Sequence, residues 1–147
     1  MNKGALIFQI QDRNYAIDLL AIDEVLPMME TRPVAGFPPY MEGIILLRGE
    51  SVPVVDLQKY FGHARKDWPW ESRILIVTVQ GQKIGFIANR VQKIQTVEPC
   101  SPVPSDLDRS IVRLATGEVM EQVAPEKLLN REVFEQLFHV RSGNQDA

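Results

Sequence analysis

The sequence predicts an all-β protein of small paired barrels with one helix at its C-terminal end. Three observations lead to this fold class. Short apolar runs recur along the chain, turn-forming Gly, Pro, Asn and Asp residues separate them, and only the last element has helical spacing over several turns. Short open sheets would leave many free strand edges, and closure into barrels removes those edges. Paired barrels therefore explain the pattern better than a single sandwich.

The first elements are a hairpin and a short helical segment. Residues 5–10 form an apolar run, residues 12–14 are turn-prone, and residues 15–19 alternate apolar and other side chains, so we expect two strands joined by a tight turn. The apolar positions of residues 20–26 are spaced more like a helix than a strand. We expect one or two helical turns there, ended by Pro27.

A second hairpin follows an irregular connection over residues 28–39. Its strands are residues 44–47 and 52–57, with Arg48, Gly49 and Glu50 between them. Pro53 cannot donate a ladder hydrogen bond, so we expect its strand to be an edge strand or to carry a bulge. A helical turn is expected next, with Gly62 at its C-terminal cap.

The later elements are mostly strands. The continuous apolar run 73–79 is typical of a buried strand. Further strands are expected at residues 84–88, 91–97, 111–119 and 119–123. An apolar stripe beginning after Pro125 predicts an amphipathic helix over residues 125–140.

This pattern predicts one domain over residues 1–147. We expect its two barrel halves to cover roughly residues 12–66 and 67–124, with the N-terminal strand joining the second.

Composition argues against several functional classes. The net charge is −3, the pI is about 5.4, and Lys and Arg form no cluster, which disfavours nucleic-acid binding. No apolar run approaches a membrane span. The lone Cys100 permits no internal disulfide, and we expect a cytoplasmic protein. His63 and His139 lack neighbours at ligand spacing, so we expect no metal, no other cofactor and no catalytic residues.

Two groups of side chains are candidates for partner contact. Glu24 and Arg48 are charges in apolar surroundings; they are either rim residues facing water or an ion pair that positions a binding surface. Trp68 and Trp70 flank Pro69; they either pack back between the halves or contact a partner.

The motifs around these residues resemble the chemotaxis coupling proteins of the CheW-like family. Residues 15–19 match Y-A-[IV]-x-[IL], and residues 22–26 match V-x-E-[IV]-L. Residues 43–57 match the longest motif, G-[VI]-[IV]-x-L-R-G-x-x-[VI]-P-[VI]-[VI]-D-L. The resemblance covers residues 4–130. Asn89 stands where the family pattern usually has Asp.

The resemblance implies two intertwined SH3-like five-stranded barrels around a shared core. It also implies a non-catalytic adaptor that couples the cytoplasmic tip of a methyl-accepting chemoreceptor to the regulatory domain of a histidine kinase, at a membrane-associated array but without membrane insertion. The receptor-contacting residues expected from it are Ile22, Glu24, Val25, Gly43, Arg48 and Gly49, with Trp68 and Trp70 as further candidates.

Other functions stay open at this point. A protein of a pathway for pili, biofilm or development, or a decoy of the kinase regulatory domain, would carry the same motifs. A nucleic-acid-binding barrel is the remaining alternative, against which the acidic pI argues.

Overall fold

The structure is a computed structural model, and it describes residues 3–63, 67–100 and 110–128. Ten strands within these ranges form two five-stranded sheets. The strands are β1 (Lys3–Ile10), β2 (Arg13–Asp18), β3 (Ile22–Pro27), β4 (Met41–Leu47), β5 (Glu50–Asp56), β6 (Arg73–Val79), β7 (Gln82–Ala88), β8 (Arg90–Pro99), β9 (Ser110–Leu114) and β10 (Val119–Val123). The predicted all-β class is confirmed.

The first sheet is a closed barrel with the strand order β1-β2-β10-β9-β8, and β8 returns to pair with β1. We call it barrel A. Alternate side chains of its strands point inward, as the pleat of a strand requires. Small and medium apolar side chains fill the interior: Ala5, Ile7, Ala16, Val97, Val112, Leu114 and Met120.

The second sheet has the order β3-β6-β7-β5-β4, and we call it barrel B. Its outer strands β3 and β4 share no continuous ladder. The chain after β3 instead reaches β4 at one point, where the backbone N–H groups of Arg32 and Ile44 each donate to the other's carbonyl at 2.8 and 2.9 Å. Barrel B is therefore rolled, and its edges meet through a single backbone bridge.

A shared core lies between the two barrels. Side chains on the outer face of β1 and β2 pack against the outward-facing side chains of β5, β6 and β7. Aromatic rings continue the contact: Phe8 stacks on Tyr15 with centroids 5.8 Å apart, and Tyr15 stacks on Phe61 at 5.0 Å. Because both barrels contribute buried surface to this core, neither is expected to be stable alone.

The division into sheets differs from the division predicted along the chain. The predicted halves, residues 12–66 and 67–124, do not correspond to the two barrels. β2 lies in barrel A with β8 to β10, whereas β6 and β7 lie in barrel B with β3 to β5. The prediction assumed that neighbours in sequence share a sheet. Parallel pairings of β2 with β10 and of β5 with β7 join strands far apart in sequence instead.

Two local predictions were also wrong. Residues 20–26 form only the end of a 3-10 turn (Leu19–Ala21) and then strand β3, because pairing with β6 overrides the helical spacing. The edge position predicted for the strand of Pro53 is wrong, because β5 is an interior strand; the β4–β5 ladder does carry an irregularity, on β4 between Met41 and Gly43. Pro53 faces Ile44, whose backbone groups bond to Arg32, so this position needs no donor toward β4.

Two short helices complete the described chain. Helix α1 (Leu57–Tyr60) is capped by the buried carboxylate of Asp56, and Gly62 follows it as predicted. Helix α2 (Pro125–Leu128) begins where predicted; the rest of the predicted helix lies outside the described residues. The Tyr60 hydroxyl donates to the Leu128 carbonyl at 2.5 Å and ties α2 to α1. Burial raises the Tyr60 pKa.

Candidate partner-binding site

The turn between β4 and β5 presents a cationic side chain at the edge of barrel B. Leu47 pairs with Glu50, so Arg48 and Gly49 alone form the turn. Their φ angles are 48° and 84°. Positive φ at both central residues is the mark of a type I′ hairpin turn, which favours glycine at the second position. The motif Arg48-Gly49 therefore encodes a rigid turn as well as a charge.

Arg48 reaches across the gap between the barrel edges to Glu24. Its guanidinium donates a hydrogen bond to the Glu24 carboxylate, so the end of the β4–β5 hairpin is joined to β3. This hydrogen bond and the charge of Arg48 lower the pKa of Glu24. The same contact raises the pKa of Arg48. The predicted pair exists and lies at the surface, where its main effect is on geometry.

Strand β3 departs from the ordinary pattern of exposure at two neighbouring positions. Val25 is 44% exposed, whereas the neighbouring Glu24 is half-buried. An ordinary barrel strand would place the apolar side chain inward and the charge outward. Departures of this kind are expected where a surface serves a function.

Leu46 on β4 extends the apolar surface on the other side of the gap. It is 67% exposed. Beside it lies a cavity of about 260 Å³, lined by Met29, Glu30, Arg32, Ile44, Ile45, Leu46 and Ser51. We call the surface formed by Glu24, Val25, Leu46, Arg48 and Gly49 the β3–β4 seam. It combines exposed apolar side chains with an ion pair whose charges already compensate each other.

Comparison with known proteins assigns the chain to a family. Residues 4–133 match the family model for the CheW-like domain. The chain belongs to the CheW-like domain family. The resemblance noted in the sequence is thereby confirmed over most of the chain.

Individual CheW proteins agree with this assignment. The chain is 30% identical over 95 residues to the chemotaxis protein CheW of Treponema pallidum, covering 61% of this chain and 55% of that protein. It is 27% identical over 119 residues to the chemotaxis protein CheW of Bacillus subtilis, covering 77% and 76%. The chain thus spans little more than half of the Treponema protein and about three quarters of the Bacillus protein.

A solved structure supports the CheW-like fold. The crystal structure of the scaffolding protein TtCheW from Thermoanaerobacter tengcongensis superposes with a TM-score of 0.78 at 28% sequence identity. The match covers 90% of this chain and 96% of the other. The predicted pair of SH3-like five-stranded barrels is therefore confirmed.

The structure separates the site residues predicted from the CheW-like motifs. Glu24, Val25, Arg48 and Gly49 meet at the β3–β4 seam. Ile22 is half-buried and packs against the shared core. Gly43 is buried at the closure of barrel B, where a Cβ atom would lie 2.5 Å from the carbonyl oxygen of Arg32. The CheW-like motif thus combines residues that close the barrel with residues that face outward.

The two tryptophans of this CheW-like chain have different surroundings. Trp68 is half-buried and packs on the interior core of barrel B beside Leu26, Met28 and Met29. Trp70 is 83% exposed. Trp68 packs back as in the first alternative, but onto the interior of barrel B and not between the halves, and Trp70 is the more exposed of the two.

Sequence reasoning missed several exposed apolar residues, of which three are the most exposed. Leu20 in the 3-10 turn is 91% exposed, Leu46 is 67% exposed, and Ile94 on β8 is 60% exposed. A signal for Leu46 was present, because the all-apolar run 44–47 must place alternate side chains outside the barrel. Leu20 lies in a segment predicted as helical, and that prediction gives no reason to expect its side chain to be exposed. Ile94 belongs to a strand with weak alternation.

Two further observations concern the described residues only. No helix in residues 3–63, 67–100 and 110–128 is long and apolar enough to cross a bilayer. In the same ranges, no three His, Cys, Asp or Glu side chains come together as a metal-binding group.

Proposed function

We propose that this protein is a non-catalytic signalling adaptor that couples chemoreceptors to a histidine kinase. Its membership of the CheW-like family supports the adaptor role. The observation that carries the proposed receptor contact is the β3–β4 seam, in which Val25 and Leu46 are exposed beside a preformed Glu24–Arg48 ion pair. The chain offers surfaces for binding, and the adaptor function requires nothing more.

The seam suits the helical cytoplasmic tip of a receptor. An amphipathic helix binds by placing apolar side chains from one face against an apolar surface. Val25 and Leu46 supply such a surface, and the adjoining cavity of about 260 Å³ can receive a side chain. Because Glu24 and Arg48 neutralise each other, an apolar helix face need not bring a counter-charge. We expect a small, individually weak contact, strengthened by many copies in an array.

An adaptor needs a second surface for the kinase. Ile94 on β8 and Val119 on β10 are 60% and 50% exposed, and both strands belong to barrel A and not to barrel B. We assign the kinase regulatory domain to barrel A on this basis. Trp70, which leads into β6, is a further candidate for either contact.

Charge exchange at the seam tests the receptor contact. We expect Arg48→Glu to remain folded, because the pair is exposed, and to lose binding of a receptor cytoplasmic fragment in a pull-down. The double variant Glu24→Arg with Arg48→Glu distinguishes an ion pair that positions the seam from direct contact between Arg48 and the receptor. Restored binding means that the pair positions the seam; continued loss means that the receptor contacts Arg48 itself. Full binding by folded Arg48→Glu would exclude the seam as the receptor site.

Reconstitution with receptor and kinase tests the adaptor role against the decoy alternative. An adaptor raises kinase autophosphorylation in the presence of receptor, and a decoy lowers it. We expect Ile94→Asp to keep receptor binding and to lose kinase binding and therefore kinase activation. Arg48→Glu should instead keep kinase binding and lose receptor binding. The identity of neighbouring genes, flagellar or pilus-related, would distinguish chemotaxis from a sister pathway.

A further inference from the structure

Three amide side chains are joined by hydrogen bonds where the barrels meet. The Asn89 Oδ1 accepts from the backbone N–H of Gln11 at 2.8 Å, and the Asn89 Nδ2 donates to the Gln58 Oε1 at 3.3 Å. The Gln11 Nε2 donates to the same Gln58 Oε1 at 3.1 Å. We call Gln11, Gln58 and Asn89 the amide triangle.

The amide triangle joins elements of both barrels. Gln11 lies in the β1–β2 turn of barrel A, and Gln58 lies in α1, directly after β5 of barrel B. Asn89 is the single residue between β7 and β8, where the chain passes from one barrel to the other. Its backbone extends the junction, because its N–H donates to the Gln9 carbonyl at 2.9 Å and its carbonyl accepts from the Ser72 hydroxyl at 3.4 Å.

Each amide in the triangle has a determined orientation. The backbone N–H of Gln11 can only donate, so Asn89 must turn Oδ1 toward it. The Nδ2 of Asn89 then faces Gln58, which must present Oε1. Gln58 is fully buried, so water cannot replace a lost partner. In this arrangement Asn89 uses one acceptor and one donor of the same side chain, which an amide supplies and an ionised carboxylate does not.

We propose that the amide triangle fixes the relative orientation of the two barrels, with Asn89 as its positioning residue. The shared core holds the barrels together, but the hydrophobic effect that drives its burial is not directional. Hydrogen bonds among partly buried polar groups add the directional constraint that selects one arrangement. The claim about orientation is independent of function. Its consequence for coupling rests on the proposed function, because the receptor and kinase surfaces lie on different barrels.

Residual dipolar couplings of backbone N–H groups test the orientation directly. Couplings from barrel A and barrel B are fitted separately in the full chain. We expect one common alignment tensor for the unaltered protein, and two tensors of different magnitude for Gln58→Met and Asn89→Leu. Gln92→Met is the matched control. It removes an amide pair of similar length, from Gln92 Nε2 to Asn14 Oδ1 at 2.9 Å, that lies within barrel A, and it should keep the common tensor.

Milder variants keep the test decisive if a buried substitution prevents folding. Gln11→Met removes the side-chain amide, with its Nε2 donor to Gln58, and keeps the backbone N–H that donates to Asn89. Asn89→Asp keeps an acceptor for the Gln11 backbone N–H and loses the donor to Gln58, so its tensors should diverge less than those of Asn89→Leu. A common tensor in every folded triangle variant, with only the melting temperature lowered, would overturn the proposal.

The binding readout separates this proposal from the adaptor proposal. If the correctly oriented population falls to about a third, the apparent dissociation constant of the receptor–adaptor–kinase assembly rises about threefold. Binding of receptor alone to barrel B should be unchanged. Diverging tensors with unchanged assembly would retain the orientation claim and refute the function-dependent part. Failure of the unaltered protein to bind either partner would refute the adaptor function and leave the orientation claim standing.

Discussion

The closure of barrel B makes a sharp prediction for Gly43→Ala. The φ angle of Gly43 is +144°, which side chains rarely adopt, and an added Cβ would lie 2.5 Å from the Arg32 oxygen and 2.8 Å from its carbonyl carbon. Both opposing atoms belong to the backbone, so neither can rotate away. The Arg32–Ile44 bridge must open or β4 must shift.

The cost follows from two separate effects. An unfavourable positive φ costs about 1–3 kcal/mol, and a side chain forced into a filled space costs about 1–3 kcal/mol. We expect Gly43→Ala to lower the free energy of unfolding by about 3 kcal/mol or more. For a chain of this length, that corresponds to a fall in melting temperature of roughly 6–12 °C.

Gly49→Ala is the matched control. Gly49 has a φ of +84°, and nothing lies within 4 Å of a Cβ built there. It therefore carries the backbone strain without the clash, and we expect a loss of about 1 kcal/mol. The two variants are compared by urea denaturation followed by circular dichroism. Equal stability of Gly43→Ala and Gly49→Ala would refute the account of barrel closure. If Gly43→Ala folds and loses only receptor binding, Gly43 is a receptor-contact residue.

Three further predictions follow from individual side chains. Asp56→Ala should destabilise the fold by about 0.5–2 kcal/mol in urea denaturation, because Asp56 caps α1, and Asp56→Asn should lose less because an acceptor remains. The Tyr60 pKa lies above its ordinary value of 10.0, so the folded state should lose stability above pH 10 as the unfolded state ionises. Tyr60→Phe, which also removes the bond to Leu128, should show no such loss. The Glu24 pKa lies below its ordinary value of 4.5, so the pair with Arg48 persists at pH 4.5 and is lost as the pH falls through the lowered pKa. Carboxyl NMR titration should show the Glu24 midpoint rising in Arg48→Ala.

Most individual strands were predictable because their signals are local. The β4–β5 hairpin has an Arg-Gly turn between two apolar runs, and the turn dictates the register of the strands that it joins. The buried strand β6 is a continuous apolar run. Gly62 follows α1, as expected of a glycine at the C-terminal end of a helix. Side-chain alternation and turn chemistry operate within a few residues, so a single sequence reveals them.

Strand β3 was misread because its side chains are distributed for a surface. Val25 faces solvent and Glu24 is half-buried, so the apolar spacing no longer has the period of an ordinary strand. Pairing with β6 decides its conformation. The same departure that hid the strand from the sequence pattern marks it as part of the candidate site.

The sequence by itself determined the all-β class, the hairpins, and the family motif that singled out Glu24 and Arg48. The tertiary structure alone decided which strands share a barrel, that Gly43 closes barrel B, that Val25 and Leu46 are exposed, and that Gln11, Gln58 and Asn89 meet between the barrels. The physical reason is how far apart in the sequence the interacting residues lie. Turns and alternation are set by neighbouring residues, whereas these contacts join residues far apart in sequence, 78 positions for Gln11 and Asn89, and exist only after the chain has packed.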